Sequence, residues 1–248
     1  MIKIKNEKQI ALMRDAGNVL KYIFKELESI IKMGISTKEV NDFVEKIILE
    51  HKMYPSFKGY NDFPAAACIS VNEAVVHGIP KSDYILEDGD IVSVDIGATN
   101  QGYIADAART YEVGEVSEIA KKLVAVSKDA FFEGIKYACE GERLGSISAA
   151  IEKTVKDSGF SIVEEFVGHG VGRELHEDPK IPNYGQSGTG PKLSAGMTLA
   201  IEPMINEGGK NIEYLSDNWT AVTKDGKLSA HYENTIVIRK GEPEIITL

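Results

Sequence analysis

The sequence predicts an α+β fold built from two related halves, each a half-sheet backed by helices, and three regularities support this. Gly34 precedes Gly89 by 55 residues, and Gly141 precedes Gly196 by the same number. The order of elements also repeats: long helix, glycine, short helix, strands, then two acids. In both halves one acid lies six residues after a glycine and a second lies eight before another. We therefore expect residues 1–248 to form one domain of two half-repeats, roughly 1–115 and 116–248, with a site between them.

In the first half, apolar residues recur at helical spacing from Ile10 to Ile31 and predict a long amphipathic helix. Gly34 is predicted to end this helix, because glycine readily adopts the left-handed conformation of a C-terminal cap. Ser36 and Glu39 have the spacing of a capping box, which predicts that a second helix begins there.

In the second half, apolar residues from 119 to 138 predict a long helix that ends near Gly141. A shorter helix is predicted around residues 147–155. Two apolar runs, 91–96 and 199–205, are typical of buried strands, although each contains one acid.

Composition limits the classes of function. The net charge of −10 argues against nucleic-acid binding. The longest apolar stretches are too short to span a membrane, and the polar first residues do not form a signal peptide. Cys68 and Cys139 make no disulfide framework, so we expect a cytoplasmic protein.

Four acids occupy the matched positions of the two halves, and we expect them to meet near a pseudo-twofold axis. Carboxylates buried together without partners repel one another and take up protons. Two divalent cations supply four positive charges against four negative ones, so the pattern predicts a site for two metal ions. The four acids are Asp95, Asp106, Glu202 and Glu233.

Each acid taken alone has a simpler interpretation. Asp95 could be a turn residue at a strand end, and Glu233 an exposed acid before the strand 235–238. Asp106 could lie in a polar loop and form a local ion pair with Arg109. The matched placement of all four acids favours the metal site.

The histidines extend this prediction. His169 lies in an apolar, glycine-flanked segment, where a neutral imidazole suits a divalent metal, although a hydrogen-bonded core histidine is the alternative. His77 and His176 adjoin loop-forming glycine or proline and could be ligands, proton donors or substrate-binding groups. His231 precedes Glu233 by two residues, and we expect it on the same strand face, in a supporting or rim position.

Seven short motifs occur along the chain: His77–Pro80, Val94–Gly97, Ala105–Thr110, Gly168–Gly172, Leu175–Pro179, Ala200–Met204 and Tyr232–Thr235. In this order they resemble the successive signatures of the type I methionine aminopeptidases of peptidase family M24, from about residue 3 to the C-terminus. The chain begins almost directly at its first long helix, so we expect the short bacterial form, without an N-terminal zinc-binding extension.

The resemblance implies a catalytic domain with the pita-bread fold, in which two antiparallel sheet halves are related by internal pseudo-twofold symmetry. It implies a metalloaminopeptidase that removes the initiator methionine from nascent proteins when the second residue is small, by attack of a water or hydroxide bridging two divalent metals. Asp95, Asp106 and Glu233 would bind one metal, and Asp106, His169, Glu202 and Glu233 the other. Such a site accepts Co²⁺, Mn²⁺, Fe²⁺ or Zn²⁺.

The same resemblance assigns roles to further residues. His77 and His176 would hydrogen-bond the scissile peptide and its tetrahedral intermediate, and Glu202 would shuttle a proton. Asn72 and Ser229 would help to hold one monovalent cation. The methionine side chain would contact Tyr60, Phe63, Cys68 and Trp219. Three residues, Phe57, Phe63 and Leu175, depart from the common bacterial pattern while keeping the pocket lining apolar.

The implied partners are the N-termini of nascent polypeptides, and with them the ribosome, for a protein that is monomeric by the family's default. Two alternatives remain at this point. A prolidase or Xaa-Pro aminopeptidase shares the fold but usually carries a large additional N-terminal domain. A metal-free binding module typically lacks some of the five ligands.

Overall fold

The computed structural model describes residues 1–248 and contains four α-helices. They are α1 (Glu7–Ile30), α2 (Thr37–Glu50), α3 (Glu118–Ile135) and α4 (Leu144–Asp157). A single 3₁₀ turn covers Tyr60–Asp62. None of the helices combines the length and the apolar character needed to cross a membrane. The two long and two short helices follow the predicted order.

Both helices of the first half begin with a capping box. The predicted box at α2 is present: Ser36 N–H donates to Glu39 Oε2 at 2.8 Å, and Glu39 N–H donates to Ser36 Oγ at 3.2 Å. A second box, formed by Asn6 and Gln9, starts α1. These reciprocal bonds satisfy N–H groups that a helix N-terminus otherwise leaves without partners.

The predicted ends of the long helices are wrong by several residues. Helix α1 ends at Ile30, and Gly34 lies in the following turn with φ +92°. Helix α3 ends at Ile135, so Ala138 and Gly141 lie outside it. In both cases the glycine serves the turn between helices rather than the helix cap.

Fifteen strands form one nine-stranded sheet and two three-stranded sheets. The strands are β1 (Tyr54–Pro55), β2 (Ala67–Val71), β3 (Ala74–Val76), β4 (Ile91–Asn100), β5 (Tyr103–Glu112), β6 (Ser161–Ile162), β7 (Gly168–Gly170), β8 (Glu177–Ile181), β9 (Thr198–Ile201), β10 (Met204–Asn206), β11 (Ile212–Tyr214), β12 (Ala221–Thr223), β13 (Ser229–His231), β14 (Glu233–Val237) and β15 (Glu244–Ile245). The large sheet is antiparallel, with the order β1-β4-β5-β14-β9-β7-β8, while β2 pairs with β4 and β15 with β14.

One predicted strand is divided. The run 199–205 forms β9 in the large sheet and β10 in a smaller sheet, with Glu202 and Pro203 between them. Proline has no backbone N–H and cannot donate to a sheet ladder, so the chain leaves the large sheet at this point. Glu202 therefore lies at a strand end rather than within a strand.

The repeat is visible in the backbone. The four glycines of the 55-residue spacing, Gly34, Gly89, Gly141 and Gly196, have φ values of +92°, +96°, +99° and +86°. Their N–H groups make two matched pairs of hydrogen bonds: Gly34 to Leu86 O (2.8 Å) and Gly141 to Leu193 O (3.0 Å), and Gly89 to Val113 O (2.9 Å) and Gly196 to Ile238 O (3.0 Å). Strands β4 and β5 thus correspond to β9 and β14, and the β5–β14 pair lies between the two halves.

Helices cover the sheets and enclose two large apolar clusters. Helices α1 and α2 contribute to a cluster with β2, β4 and β5, and α3 and α4 to a second with β9 and β14. At Gly17, α1 approaches the C-terminal segment so closely that a Cβ atom would lie 2.1 Å from Ile246 O. Only glycine permits that approach.

The capping box of α2 provides a test of stability. Replacing Ser36 with alanine removes the acceptor for Glu39 N–H, and we expect the free energy of unfolding to fall by about 1 kcal/mol. For a chain of this length the melting temperature falls by about 2–4 °C. Ser29→Ala is the control, because Ser29 is exposed and its hydroxyl bonds only Glu26 O. Equal melting temperatures for the two variants in calorimetry would contradict the assignment.

Candidate metal centre

The central strand pair brings two of the predicted acids close together, diagonally across the pair. Asp106 lies within β5 and Glu233 begins β14, and both side chains are buried. Thr235 joins the strands: Asp106 N–H donates to Thr235 Oγ1 at 2.9 Å, and the Thr235 hydroxyl donates to Asp106 O at 2.8 Å. The alternatives of a polar loop at Asp106 and an exposed acid at Glu233 are therefore wrong.

Arg109 does not pair with Asp106. Its guanidinium donates to Glu233 O at 2.6 Å and to Asn234 Oδ1 at 2.7 Å, and it lies over the rings of Phe24 and Tyr232. The expected local ion pair is wrong because residues three apart on a strand point to opposite faces. Arg109 instead holds the backbone of Glu233 in place, from the face of the sheet opposite to Asp106.

The other three predicted ligands converge on the same point. Asp95 lies inside β4 rather than in a turn, and Glu202 follows β9. His169, on β7, pairs in register with Ala200 of β9. His169 Nε2 is 3.3 Å from Glu202 Oε1 and 3.9 Å from Asp106 Oδ2.

A compact group of possible metal ligands results. Single ligand atoms of Asp106, His169 and Glu233 all lie within 4.8 Å of one another. His169 Nδ1 is 2.9 Å from Gly170 O and must donate to it, because a carbonyl only accepts. The Nε2 lone pair of a neutral ring therefore faces carboxylate oxygens, an arrangement that needs a proton or a cation between them.

The acids have no cationic partner within the protein. No lysine or arginine forms a salt bridge with Asp95, Asp106, Glu202 or Glu233, and Asp95 Oδ1, Asp106 Oδ1 and Glu233 Oε1 have no hydrogen-bond partner. Burial, the largest cause, raises the pKa of Asp106 to about 8. Burial and the neighbouring carboxylates raise the pKa values of the other three acids well above their ordinary range. This cluster fits divalent metal binding, because cations satisfy both the unpaired oxygens and the excess negative charge.

Burial also keeps the nearby histidines neutral. It lowers the pKa of His77 to about 4 and that of His169 to about 3, with a further lowering by His176 in both cases. His176 is an exposed residue, but partial desolvation of its ring still lowers its pKa, and its Nδ1 is 2.7 Å from the Tyr60 hydroxyl. Neutral rings can act as ligands or as hydrogen-bond donors near neutral pH.

A cavity of about 230 Å³ ends on the five predicted ligands. One wall is aromatic: the rings of Phe63 and Trp219 meet edge to face at 5.1 Å, and Trp219 also faces His77 at 6.2 Å. Cys68 lies in the wall, and burial raises the pKa of its thiol well above the ordinary value, which disfavours a thiolate nucleophile. The remaining lining residues are Phe57, Tyr60, Asn61, Leu175 and His176. Every predicted substrate-binding residue thus lines this cavity.

Two polar residues lie behind the acids, and one of them, Asn183, was not predicted as part of the site. Asn183 donates from Nδ2 to Glu202 O at 2.9 Å, and no motif in the sequence indicates it. His231, expected in a supporting or rim position, has the supporting one: it is buried, with Nε2 3.9 Å from Glu202 Oε2 and 3.8 Å from Glu233 Oε2. Its spacing from Glu233 is the one signal that pointed toward the site.

The residues predicted for a monovalent cation lie together at the end of β2. Ser229 N–H donates to Asn72 O at 2.8 Å, while the Asn72 side chain bonds Asp90 and Ile91. The backbone carbonyl oxygen of Asn72 has a second lone pair, which is free to contact a cation. Cation binding here stays a prediction.

Comparisons with known proteins agree with this description. The sequence pattern that defines metallopeptidase family M24 matches residues 11–240 of this chain. The chain is 52% identical over 248 residues to a methionine aminopeptidase of Clostridium perfringens, covering 100% of this chain and 99% of that protein. The crystal structure of methionine aminopeptidase from Thermotoga maritima is 47% identical and superimposes with a TM-score of 0.98, covering 100% of this chain and 99% of that chain.

The fold and the buried acids are those of a metal-dependent hydrolase. An X-Pro aminopeptidase from Thermotoga maritima shares the fold at a TM-score of 0.77 and 22% identity, but the match covers only 62% of that chain. The matches to methionine aminopeptidases cover the full length of both proteins at much higher identity. The chain therefore belongs to the methionine aminopeptidases of metallopeptidase family M24. The predicted family and the predicted pita-bread fold are both confirmed.

The raised pKa values predict how the metal-free protein responds to pH. As pH rises above the ordinary carboxyl value of 3.8, the unfolded chain releases its protons, whereas folded Asp106 keeps its proton to about pH 8. The folded state then binds more protons, so the free energy of unfolding falls as pH rises through this window. Below about pH 6.5 the histidines with lowered pKa values act in the opposite direction, because they bind protons only in the unfolded chain. In the presence of a chelator, we therefore expect the melting temperature to fall between about pH 6.5 and about pH 8.

Two variants test the origin of this slope. Asp106→Asn should flatten it, because one of the proton-binding groups is removed. Asp129→Asn, at an exposed position on α3, should keep the wild-type slope. A wild-type melting temperature that does not fall over this range would show that the acids do not hold their protons in the folded state.

Proposed function

We propose that this chain is a metal-dependent methionine aminopeptidase that removes the initiator methionine from nascent proteins when the second residue is small. One observation carries the proposal. The cavity ends on five possible metal ligands, and its wall is formed by Tyr60, Phe63, Cys68 and Trp219. The full-length similarity to proteins named methionine aminopeptidase supports the same activity.

Two divalent cations fit the site by its donor set. Asp95, Asp106 and Glu233 would hold one ion, and Asp106, His169, Glu202 and Glu233 the other, so that Asp106 and Glu233 are shared. When bound, such ions acidify water and polarise a carbonyl group. Carboxylates with a single imidazole suit Mn²⁺, Fe²⁺, Co²⁺ or Zn²⁺.

The chain's own residues would bind and orient the substrate. The negative cluster attracts the ammonium group of a peptide N-terminus, which favours cleavage of the first residue only. The methionine thioether would contact the aromatic wall, where each sulfur–ring contact contributes about 0.3–1.5 kcal/mol. The rings of Phe63 and Trp219 hold each other in place.

Proton transfer and hydrogen bonding fall to three further side chains. When the Tyr60 hydroxyl donates to His176 Nδ1, the neutral ring carries its proton on Nε2 and can donate it to the scissile carbonyl oxygen. His77, neutral by burial, would hydrogen-bond the scissile peptide. Glu202 would take a proton from the attacking water and deliver it to the departing amine nitrogen.

We further propose that residues 1–248 act as one catalytic unit, since the central sheet takes strands from both half-repeats, roughly 1–115 and 116–248. Its substrates would be the N-termini of nascent polypeptides, which it would meet at the ribosome in the cytoplasm. The protein would act as a monomer.

Asn72 and Ser229 would help to bind one monovalent cation. A proline-selective peptidase is the second candidate, because a protein of that kind shares the fold. Parallel assays with Met-Ala and Ala-Pro peptides distinguish the two.

The proposed function first predicts that activity depends on metal. Protein stripped of metal should release no methionine from Met-Ala-Ser, and Mn²⁺ or Co²⁺ should restore release. Asp106→Asn removes a shared ligand, and kcat/KM should fall by more than about 100-fold, since metal catalysis contributes several kcal/mol. Asp129→Asn is the matched control. No methionine release with any metal, from protein shown to be folded, would contradict the proposal.

The methionine pocket gives a second prediction. Trp219→Ala removes the ring that packs against Phe63, and kcat/KM for Met-Ala-Ser should fall about tenfold, mainly through KM. Metal content, measured by atomic emission, should be unchanged. Tyr22→Ala, an exposed aromatic on α1, controls for loss of an aromatic residue elsewhere. Wild-type kinetics in Trp219→Ala would refute the pocket assignment.

A further inference from the structure

His231 is a buried imidazole whose Nε2 atom has no hydrogen-bond partner. That nitrogen is 3.8 Å from Glu233 Oε2 and 3.9 Å from Glu202 Oε2; Glu233 is also buried, and the side chain of Glu202 is only 12% exposed. His231 does not line the cavity that the five predicted ligands share. A buried polar nitrogen without a hydrogen-bond partner costs stability, so its presence at this position needs an explanation.

The backbone around His231 is held firmly. Its N–H donates to Thr110 Oγ1 at 3.1 Å, and the Thr110 hydroxyl donates back to His231 O at 2.9 Å. The neighbouring Arg109 donates to Glu233 O. The strand β13, which carries the ring, and the backbone of Glu233 are therefore both fixed to β5, and the distance between ring and carboxylate is set by the fold.

We propose that His231 is a positioning residue that donates its Nε2–H to the Oε2 atoms of Glu202 and Glu233 and orients these carboxylates for metal binding. The inference rests on the proposed function, which assigns both acids to the metals. Metal-ligating carboxylates are generally hydrogen-bonded themselves, and a charge-assisted bond forms once the acids lose their protons. Closing the present gap takes a movement of about 1 Å.

The test measures metal binding without a peptide substrate. Metal-free wild type, His231→Leu and His231→Gln are titrated with Mn²⁺ in a calorimeter at one pH. Leucine has a similar bulk without a donor, whereas glutamine can place an N–H near the position of Nε2. We expect the Kd of His231→Leu to rise by about 10- to 100-fold and that of His231→Gln to stay within about threefold of wild type.

Two further readouts separate positioning from damage to the fold. The metal-free melting temperature of His231→Leu should equal or exceed that of wild type, because a partnerless buried donor is removed. The visible spectrum of the Co²⁺-loaded leucine variant should differ from wild type, and glutamine should restore it. An unchanged Kd in His231→Leu, or equal losses in both variants, would overturn the proposal. Methionine release is not measured here, so this failure is distinguishable from failure of the proposed function.

Discussion

The repulsion among four closely spaced carboxylates, two of them buried, is the constraint on which the rest of this structure depends. Asp95, Asp106, Glu202 and Glu233 meet at the end of one cavity, and no lysine or arginine neutralises them. The nearest guanidinium, that of Arg109, binds the backbone carbonyl of Glu233 instead. Without another cation the acids hold protons, as their raised pKa values indicate. The charge that stabilises their ionised forms has to come from outside the chain.

Duplication explains how one chain brings so many acids together. Each half delivers one acid from β4 or the end of β9 and one from the central β5–β14 pair, and the matched glycine hydrogen bonds give corresponding segments of the two halves the same local arrangement. Thr235 then locks the two central strands at the level of Asp106. The two halves differ at one matched acid: Glu202 follows the end of β9 and precedes Pro203, whereas Asp95 lies within the continuous strand β4.

The acids and the order of helices could be predicted because they follow from spacing, which a sequence displays directly, and His169 because its segment is apolar and flanked by glycines. Contacts between distant segments could not. Strand periodicity would have excluded the Asp106–Arg109 pair, but the real partner of Arg109 lies 124 residues further along the chain. His231 and Glu233 seemed to share one strand face, yet the chain passes from one sheet to another between them. That change of sheet places His231 behind the acids rather than at the rim.

The neutral histidines complete the electrostatic argument. Were His77, His169 and His176 protonated near neutral pH, they would compensate the acids and compete with any incoming cation. Desolvation lowers the pKa of all three, so the histidines add no positive charge to the site. Two kinds of cation can then replace the protons that the acids hold: divalent metals among the ligands and the ammonium group of a peptide N-terminus. An internal segment of a substrate has no ammonium group. The same carboxylates that require metal therefore also favour cleavage at the first residue of the substrate.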